Sequence, residues 1–149
     1  MKTVLVLEDE PIVTEFLRRA LKGFSLIEAS TAEQALGLFI SHDRQVDLLV
    51  AVVTLAVGSG TQVALLLRSA IPNLPVILTS GHPVSHWSDR AFAELERLGS
   101  NSLAIVEKPY RAQLLSKVVG DLIGERAPES AKGAGVNGPS SPRQTIRAV

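Results

Sequence analysis

The sequence predicts an α/β protein built as a doubly wound open sheet of five parallel strands flanked by five helices. Three observations predict it. Short apolar runs alternate five times with helical stripes between residues 3 and 124. Several of the runs, residues 48–53 above all, are apolar on both faces, which is the pattern of central parallel strands covered on two sides. Caps and turn residues fall in the gaps between run and stripe.

The first strand, residues 3–7, ends at Glu8-Asp9-Glu10. Pro11 follows where a first-turn proline is tolerated, because its missing N–H would have no helical partner there. Ile12/Val13, Phe16/Leu17 and Ala20/Leu21 then recur at four-residue spacing, and Gly23 closes the helix. The second strand, 25–29, leads into Ser30-Thr-Ala-Glu33, whose capping-box spacing precedes Ala35, Leu38 and Phe39. The third, 48–53, leads into Ser59-Gly-Thr-Gln62, with the same spacing ahead of Val63, Leu66 and Leu67. After the fourth strand, 76–79, comes one stripe of Val84, Trp87, Ala91, Leu95 and Leu98. The fifth, 103–106, precedes Leu114/Leu115, Val118/Val119 and Leu122/Ile123. In such a sheet the crevice lies outside the carboxyl ends of the strands.

Composition excludes several function classes. The chain has 149 residues, 46% hydrophobic, with 15 Lys+Arg against 15 Asp+Glu and no cysteine. A disulfide framework, a thiolate zinc site and cysteine catalysis are therefore absent. The apolar run at residues 4–7 meets acidic residues too early for a signal peptide, and the longest unbroken run, 48–53, is far short of a membrane span. We expect a cytoplasmic protein without membrane attachment. Residues 125–149 carry four basic and two acidic residues, which leaves residues 1–124 slightly acidic and without the basic patch of a nucleic-acid binder. That C-terminal stretch holds three Gly, three Pro and three Ser with scattered apolar residues, so it is expected to be a disordered tail behind a single domain at 1–124.

Chemistry is sought just after each strand. Glu8, Asp9 and Glu10 follow the first, residues 54–60 the third, Ser80-Gly81-His82 the fourth and Lys108-Pro109-Tyr110 the fifth. Carboxylates, a hydroxyl and a lysine converging on one sheet edge are what a Mg²⁺-assisted phosphoryl site requires: hard oxygens hold the cation, and lysine and hydroxyl neutralise phosphate oxygens.

Val4-Leu-Val-Leu-Glu-Asp-Glu-Pro11, Pro75-Val-Ile-Leu-Thr-Ser-Gly81 and Glu107-Lys-Pro-Tyr110, in that order and each at a strand end, resemble the receiver domain of two-component response regulators, the CheY-like family. The resemblance spans residues 3–124 and implies the flavodoxin-like strand order 2-1-3-4-5. It also implies roles. Glu8 and Asp9 match the acidic pair that binds Mg²⁺, Thr54 would offer a backbone carbonyl to the metal, Ser80 matches the switch hydroxyl and Lys108 the lysine that contacts phosphate. The phosphoacceptor does not carry over, because the alignment puts Val52 where the family has aspartate. Asp47 lies five residues upstream, roughly 16 Å along an extended strand and so at the opposite end of the sheet. Two further departures accompany it: Ala56 stands for the family's proline and Ile105 for the aromatic that moves with the switch hydroxyl.

These departures point to a stand-alone pseudo-receiver that signals by protein docking without aspartyl phosphorylation, and not to an enzyme. Its Mg²⁺ site is expected to be weak or vestigial, or no cofactor is bound. The resemblance implies a histidine kinase, another signalling protein or a homodimer mate as partner, with Phe92, Arg90, Glu94 and Arg97 on the fourth helix as the contact face. Glu15, Arg18 and Arg19 on the first helix are the competing face. Two other classes stay open: a phosphorylatable regulator with an atypical acceptor, and a small flavodoxin-like enzyme or nucleotide binder, which the acidic cluster after the first strand disfavours because it repels phosphate. Several motifs have plain structural explanations. Glu8-Asp9-Glu10 suit a helix N-terminus, with Lys108 neutralising them, Gly58-Ser-Gly60 is a turn and cap, Trp87 lies on the apolar stripe, and Pro83 places His82 ahead of the helix, which argues against a His82/His86 metal pair.

Overall fold

The computed structural model describes residues 1–124 and 144–146. Its elements run β1 (Thr3–Leu7), α1 (Pro11–Ala20), β2 (Ser25–Ala29), α2 (Ala32–Ser41), β3 (Leu48–Val52), α3 (Gly60–Ala70), β4 (Val76–Ser80), a 3₁₀ turn (Val84–His86), α4 (Asp89–Leu98), β5 (Leu103–Glu107), α5 (Ala112–Ile123) and β6 (Gln144–Ile146). All paired strands are parallel, in the order β2-β1-β3-β4-β5-β6. The five-stranded arrangement and its order are those expected. The sixth strand is an addition.

Side-chain alternation divides the sheet residues between two cores. Leu5, Leu7, Leu49, Ala51, Val76, Leu78, Leu103 and Ile105 point to one face, where Phe39 of α2, Val63 and Leu67 of α3 and Leu95 of α4 cover them. Val4, Val6, Leu48, Val50, Ile77, Ala104 and Val106 point to the other, beneath Leu17 of α1 and Leu115, Val118 and Val119 of α5. With β3 and β4 buried along their whole length, polar side chains find room only at strand ends.

Local signals set most boundaries. Pro11 opens α1 as expected, and Gly23, at φ 97°, turns the chain after it. Ser59 caps α3, its Oγ accepting from the Gln62 N–H at 3.1 Å. The cap of α2 is displaced by one residue from the expected Ser30–Glu33 box: Thr31 Oγ1 accepts from Gln34 N–H at 3.0 Å, while the Gln34 side chain accepts from Ser30 N–H at 2.7 Å. The single helix expected from Val84 to Leu98 is two elements. Ser88 caps α4, accepting from Ala91 N–H at 3.1 Å, and the residues before it form the 3₁₀ turn. Periodicity alone missed this break, because Val84 and Trp87 pack on the same core as Ala91 and Leu95.

Arg68 secures the opposite end of α4. Its guanidinium donates to the carbonyls of Leu74, Leu98, Asn101 and Ser102 at 2.8–3.0 Å. Burial without a carboxylate partner lowers its pKa.

The expected disordered tail falls on residues 125–143 and 147–149, which lie outside the described residues, and on Gln144–Ile146, which form β6. A three-residue strand has no periodicity of its own to show in sequence; it takes its form from the open edge of β5.

A close approach fixes the start of α3. A Cβ at Gly60 would collide with the backbone carbonyl of Val52, and Gly60 N–H already donates to Val53 O at 3.0 Å. Gly60→Ala must therefore push backbone against backbone, and it is expected to cost about 2 kcal/mol, read as a lower denaturant midpoint with unchanged slope.

Candidate functional site

Strand register brings the predicted residues to one level. Leu7 pairs with Ala51, Val52 with Thr79, and Ser80 with Glu107. Glu8, Val52, Ser80 and Lys108 consequently leave or end adjacent strands together, at the carboxyl edge. Backbone bonds hold the level: Val53 N–H donates to Thr79 O and Lys108 N–H to Ser80 O, both at 2.8 Å, across the end of the sheet.

The charged part of the site is internally neutralised. Lys108 Nζ lies 3.0 Å from Glu8 Oε1 and 3.3 Å from Glu10 Oε1. The second Glu8 oxygen accepts from the Glu10 N–H at 3.1 Å. Glu8 is 3% exposed, so without that ammonium it would be a buried, uncompensated charge. Glu10 caps α1 and stands exposed. The lysine bridges β5 to the β1–α1 connection through these two acids, the neutralising role expected for it as the partner of helix N-terminal carboxylates. Lys108 is joined to Pro109 by a cis peptide bond. Tyr110 then turns inward against Phe16, edge to face with ring centroids 5.6 Å apart. Burial, reinforced by the Glu8 carboxylate, raises the phenol pKa well above its ordinary value, and its hydroxyl is buried without a partner.

The remaining positions are equally committed. Val52 is 7% exposed and belongs to the core on the α2–α3–α4 side, with Val53, Leu55 and Val63. Ser80, also buried, closes a small loop: Oγ donates to His82 O at 2.9 Å and accepts from His82 N–H at 3.1 Å. The half-buried Trp87 adds its indole N–H to the same carbonyl at 3.1 Å. Ile105 is buried in the sheet, so no aromatic ring stands at that position. Asp9 and Thr54 are exposed, and Thr54 bridges back to Ser59. Beside them a crevice of about 200 Å³ is lined by Val53, Thr54, Ser59, Ser80, His86 and Trp87 among others.

Both carboxylate oxygens of Glu8 already carry a partner. One oxygen of Glu8 is on Lys108 and the other on a backbone N–H. Val52 contributes none. Among the described residues no group of three or more His, Cys, Asp or Glu is placed to hold a metal.

On α4, Phe92 is 45% exposed, and Arg90 and Arg97 are exposed as expected. Glu94 is a correction to the proposed contact face. It is buried, and its Oε1 accepts from Thr61 Oγ1 at 2.6 Å and Ser59 Oγ at 2.9 Å, while Oε2 lies 3.7 Å from Arg90. Its charge looked like part of a solvated face because the sequence gives no sign that two hydroxyls, at the cap and in the first turn of α3, await it. On α1, Arg18 forms a two-pronged pair with Glu28 at 2.6 and 2.7 Å, which lowers the carboxyl pKa, and Arg19 pairs with Glu15 at 2.9 Å.

No protein-family model and no curated protein matches the sequence. Solved structures do match. A response regulator receiver protein from Sinorhizobium medicae is 26% identical, covers 85% of this chain and 97% of its own, and superposes with a TM-score of 0.70. A response regulator receiver domain from Clostridium thermocellum gives 21%, 83%, 95% and 0.70, and a CheY-like receiver domain from Methanospirillum hungatei 17%, 84%, 95% and 0.71. The structural neighbours of this chain are receiver domains, and its fold is theirs. Among the described residues no helix is long and apolar enough to cross a membrane.

The packing of Val52 has a measurable consequence. Val52→Asp brings a further carboxylate to the level of Glu8 and removes an apolar contact, so the metal-free protein is expected to lose about 2 kcal/mol. Mg²⁺ should bind this variant more tightly than the parent and restore part of the loss. Denaturant midpoints with and without Mg²⁺ check both statements; equal midpoints for the two metal-free proteins would contradict the packing.

Proposed function

We propose that this domain is a pseudo-receiver, a signalling module of the two-component type that acts by docking to a protein and not through an aspartyl phosphate. One observation carries the proposal. At the strand end where a phosphoacceptor is needed, the side chain is Val52, buried in the core and devoid of oxygen. Phosphoryl transfer requires a nucleophile in line with the leaving group and cations to meet the developing charge. Here the nucleophile is missing, and the lysine ammonium already lies against two carboxylates. The Ser80 hydroxyl, bonded within its own loop, has no phosphate to follow. Asp47, the one nearby carboxylate on this strand's approach, accepts from Thr3 N–H at the amino end of the sheet.

Without a phosphate switch, the position of α4 rests on fixed contacts: Glu94 on α3 at one end, Arg68 under Leu98 at the other. The surface of α4 is thereby held in one state, with Phe92 as an apolar anchor and Arg97 as an exposed charge on the same helix. Such a mixed face fits a modest, salt-sensitive protein contact, made with a histidine kinase, another signalling protein or a second copy. Apolar side chains also stand exposed elsewhere, Ile12 on α1 at 79% and Val57 in the β3–α3 loop at 83%, and they offer an alternative point of contact.

Two experiments test this. Incubation with Mg²⁺ and acetyl phosphate is expected to leave the intact mass unchanged; an added phosphoryl group on any carboxylate would return the protein to the phosphorylatable class. For the docking face, Phe92→Ala with Arg97→Ala is expected to weaken self-association or partner pull-down by about 10-fold or more. If that variant behaves as the parent while Ile12→Ala or Val57→Ala abolishes binding, the contact is made away from α4.

A further inference from the structure

The crevice beside Trp87 has walls of unequal chemistry. Its volume of about 200 Å³ is below that of a drug-sized site and suits a single ring with one substituent. Part of the wall is apolar. Val53 and Ala91 belong to the core, and the half-buried Trp87 packs against that core.

The polar part of the wall divides by what each group already does. Ser59 Oγ donates to Glu94, and Ser80 Oγ and the Trp87 indole N–H donate to His82 O, so none of these three has a hydrogen left to offer. Ser88 differs. Its Oγ accepts from Ala91 N–H at 3.1 Å, but among the described residues its own hydrogen finds no acceptor. The Thr54 hydroxyl and the rings of His82 and His86, which line the same crevice, are likewise without a hydrogen-bond partner among the described residues. Groups able to donate therefore gather beside an apolar surface, and no aspartate, glutamate, lysine or arginine lines the cavity with them. Glu94 lies in the neighbouring crevice, where Arg90 and the hydroxyls of Ser59 and Thr61 attend its carboxylate. The amino ends of α3 and α4, capped by Ser59 and Ser88, add to the preference for negative charge.

We infer that this crevice binds a small organic carboxylate, with its oxygens on Ser88, Thr54 and the two imidazoles and its apolar body against Val53, Trp87 and Ala91. A carboxylate without a body leaves the apolar wall uncovered, and a body without charge leaves the donors poorly met. Inorganic phosphate satisfies the donors alone. The site rests on the pseudo-receiver proposal in one respect: no phosphoryl group at residue 52 competes for the space.

The test titrates the isotope-labelled full chain at neutral pH with benzoate, acetate, benzyl alcohol and inorganic phosphate, followed by amide chemical shifts. Benzoate is expected to shift Thr54, Trp87, Ser88 and Ala91 saturably, with half-saturation at about 1 mM or below, and the other three to bind about 10-fold more weakly or less. Ser88 is the position to vary, because aspartate and asparagine cap a helix as well as serine does. Ser88→Asp brings a carboxylate into the crevice and is expected to weaken benzoate about 10-fold or more, whereas Ser88→Asn keeps a donor there and should stay within about 3-fold of the parent. Denaturant midpoints establish that both variants are folded. No saturation by benzoate, or an unchanged affinity in Ser88→Asp, would overturn the site. Benzyl alcohol binding as tightly as benzoate would overturn the anionic class, and acetate or phosphate binding as tightly would overturn the apolar body. The intact mass after acetyl phosphate separates the two proposals: an added phosphoryl group overturns the pseudo-receiver, while an unchanged mass with no benzoate binding overturns the carboxylate site alone.

Discussion

A parallel sheet buried on both faces has nowhere to put a polar side chain except at the ends of its strands, and every unusual feature of this protein follows from that constraint. Through β3 and β4 no residue reaches water. The chain therefore delivers Glu8, Ser80 and Lys108 to the carboxyl edge together, whether or not chemistry is done there. Once a buried carboxylate is placed at that edge it must be neutralised, and Lys108 does so at 3.0 Å. The ion pair is thus part of the architecture. It needs no phosphate to justify its presence.

Seen in this way, Val52 fits its surroundings. An aspartate at the same level would add a charge where one buried acid already occupies the available ammonium. A valine extends the apolar core by one layer instead, under the N-terminal turn of α3, and Gly60 lets that turn approach the Val52 carbonyl closely. Glu8 and Ser80 at the same edge are bonded to their own neighbours, which is the condition for burying polar groups at low cost.

Much of this was legible in the sequence. The five strands of the core stand within a residue of their expected ends because each is a short apolar run bounded by charged or turn residues. Pro11, Gly23 and Ser59 act through local geometry and do so as expected. Glu8, Ser80 and Lys108 reach the same edge because strand register follows from parallel βα repeats. What escaped were contacts between elements distant in sequence. Glu94 joins Ser59 and Thr61 across more than thirty residues, and Arg68 finds four carbonyls, one before β4 and three at the end of α4 and in the loop that follows it. The 3₁₀ turn was hidden because a helical stripe continues across the break. β6 was hidden because its three residues carry no pattern of their own.

The position of Trp87 gives the protein an optical property. It is the only tryptophan in the chain, half-buried on the crevice wall, with its indole N–H on the same His82 carbonyl that receives the Ser80 hydroxyl. Any movement of the β4–α4 connection must change the polarity around that ring or break its hydrogen bond. The carboxyl edge therefore carries a built-in fluorophore, and its rearrangements are open to stopped-flow emission without a label or an engineered probe.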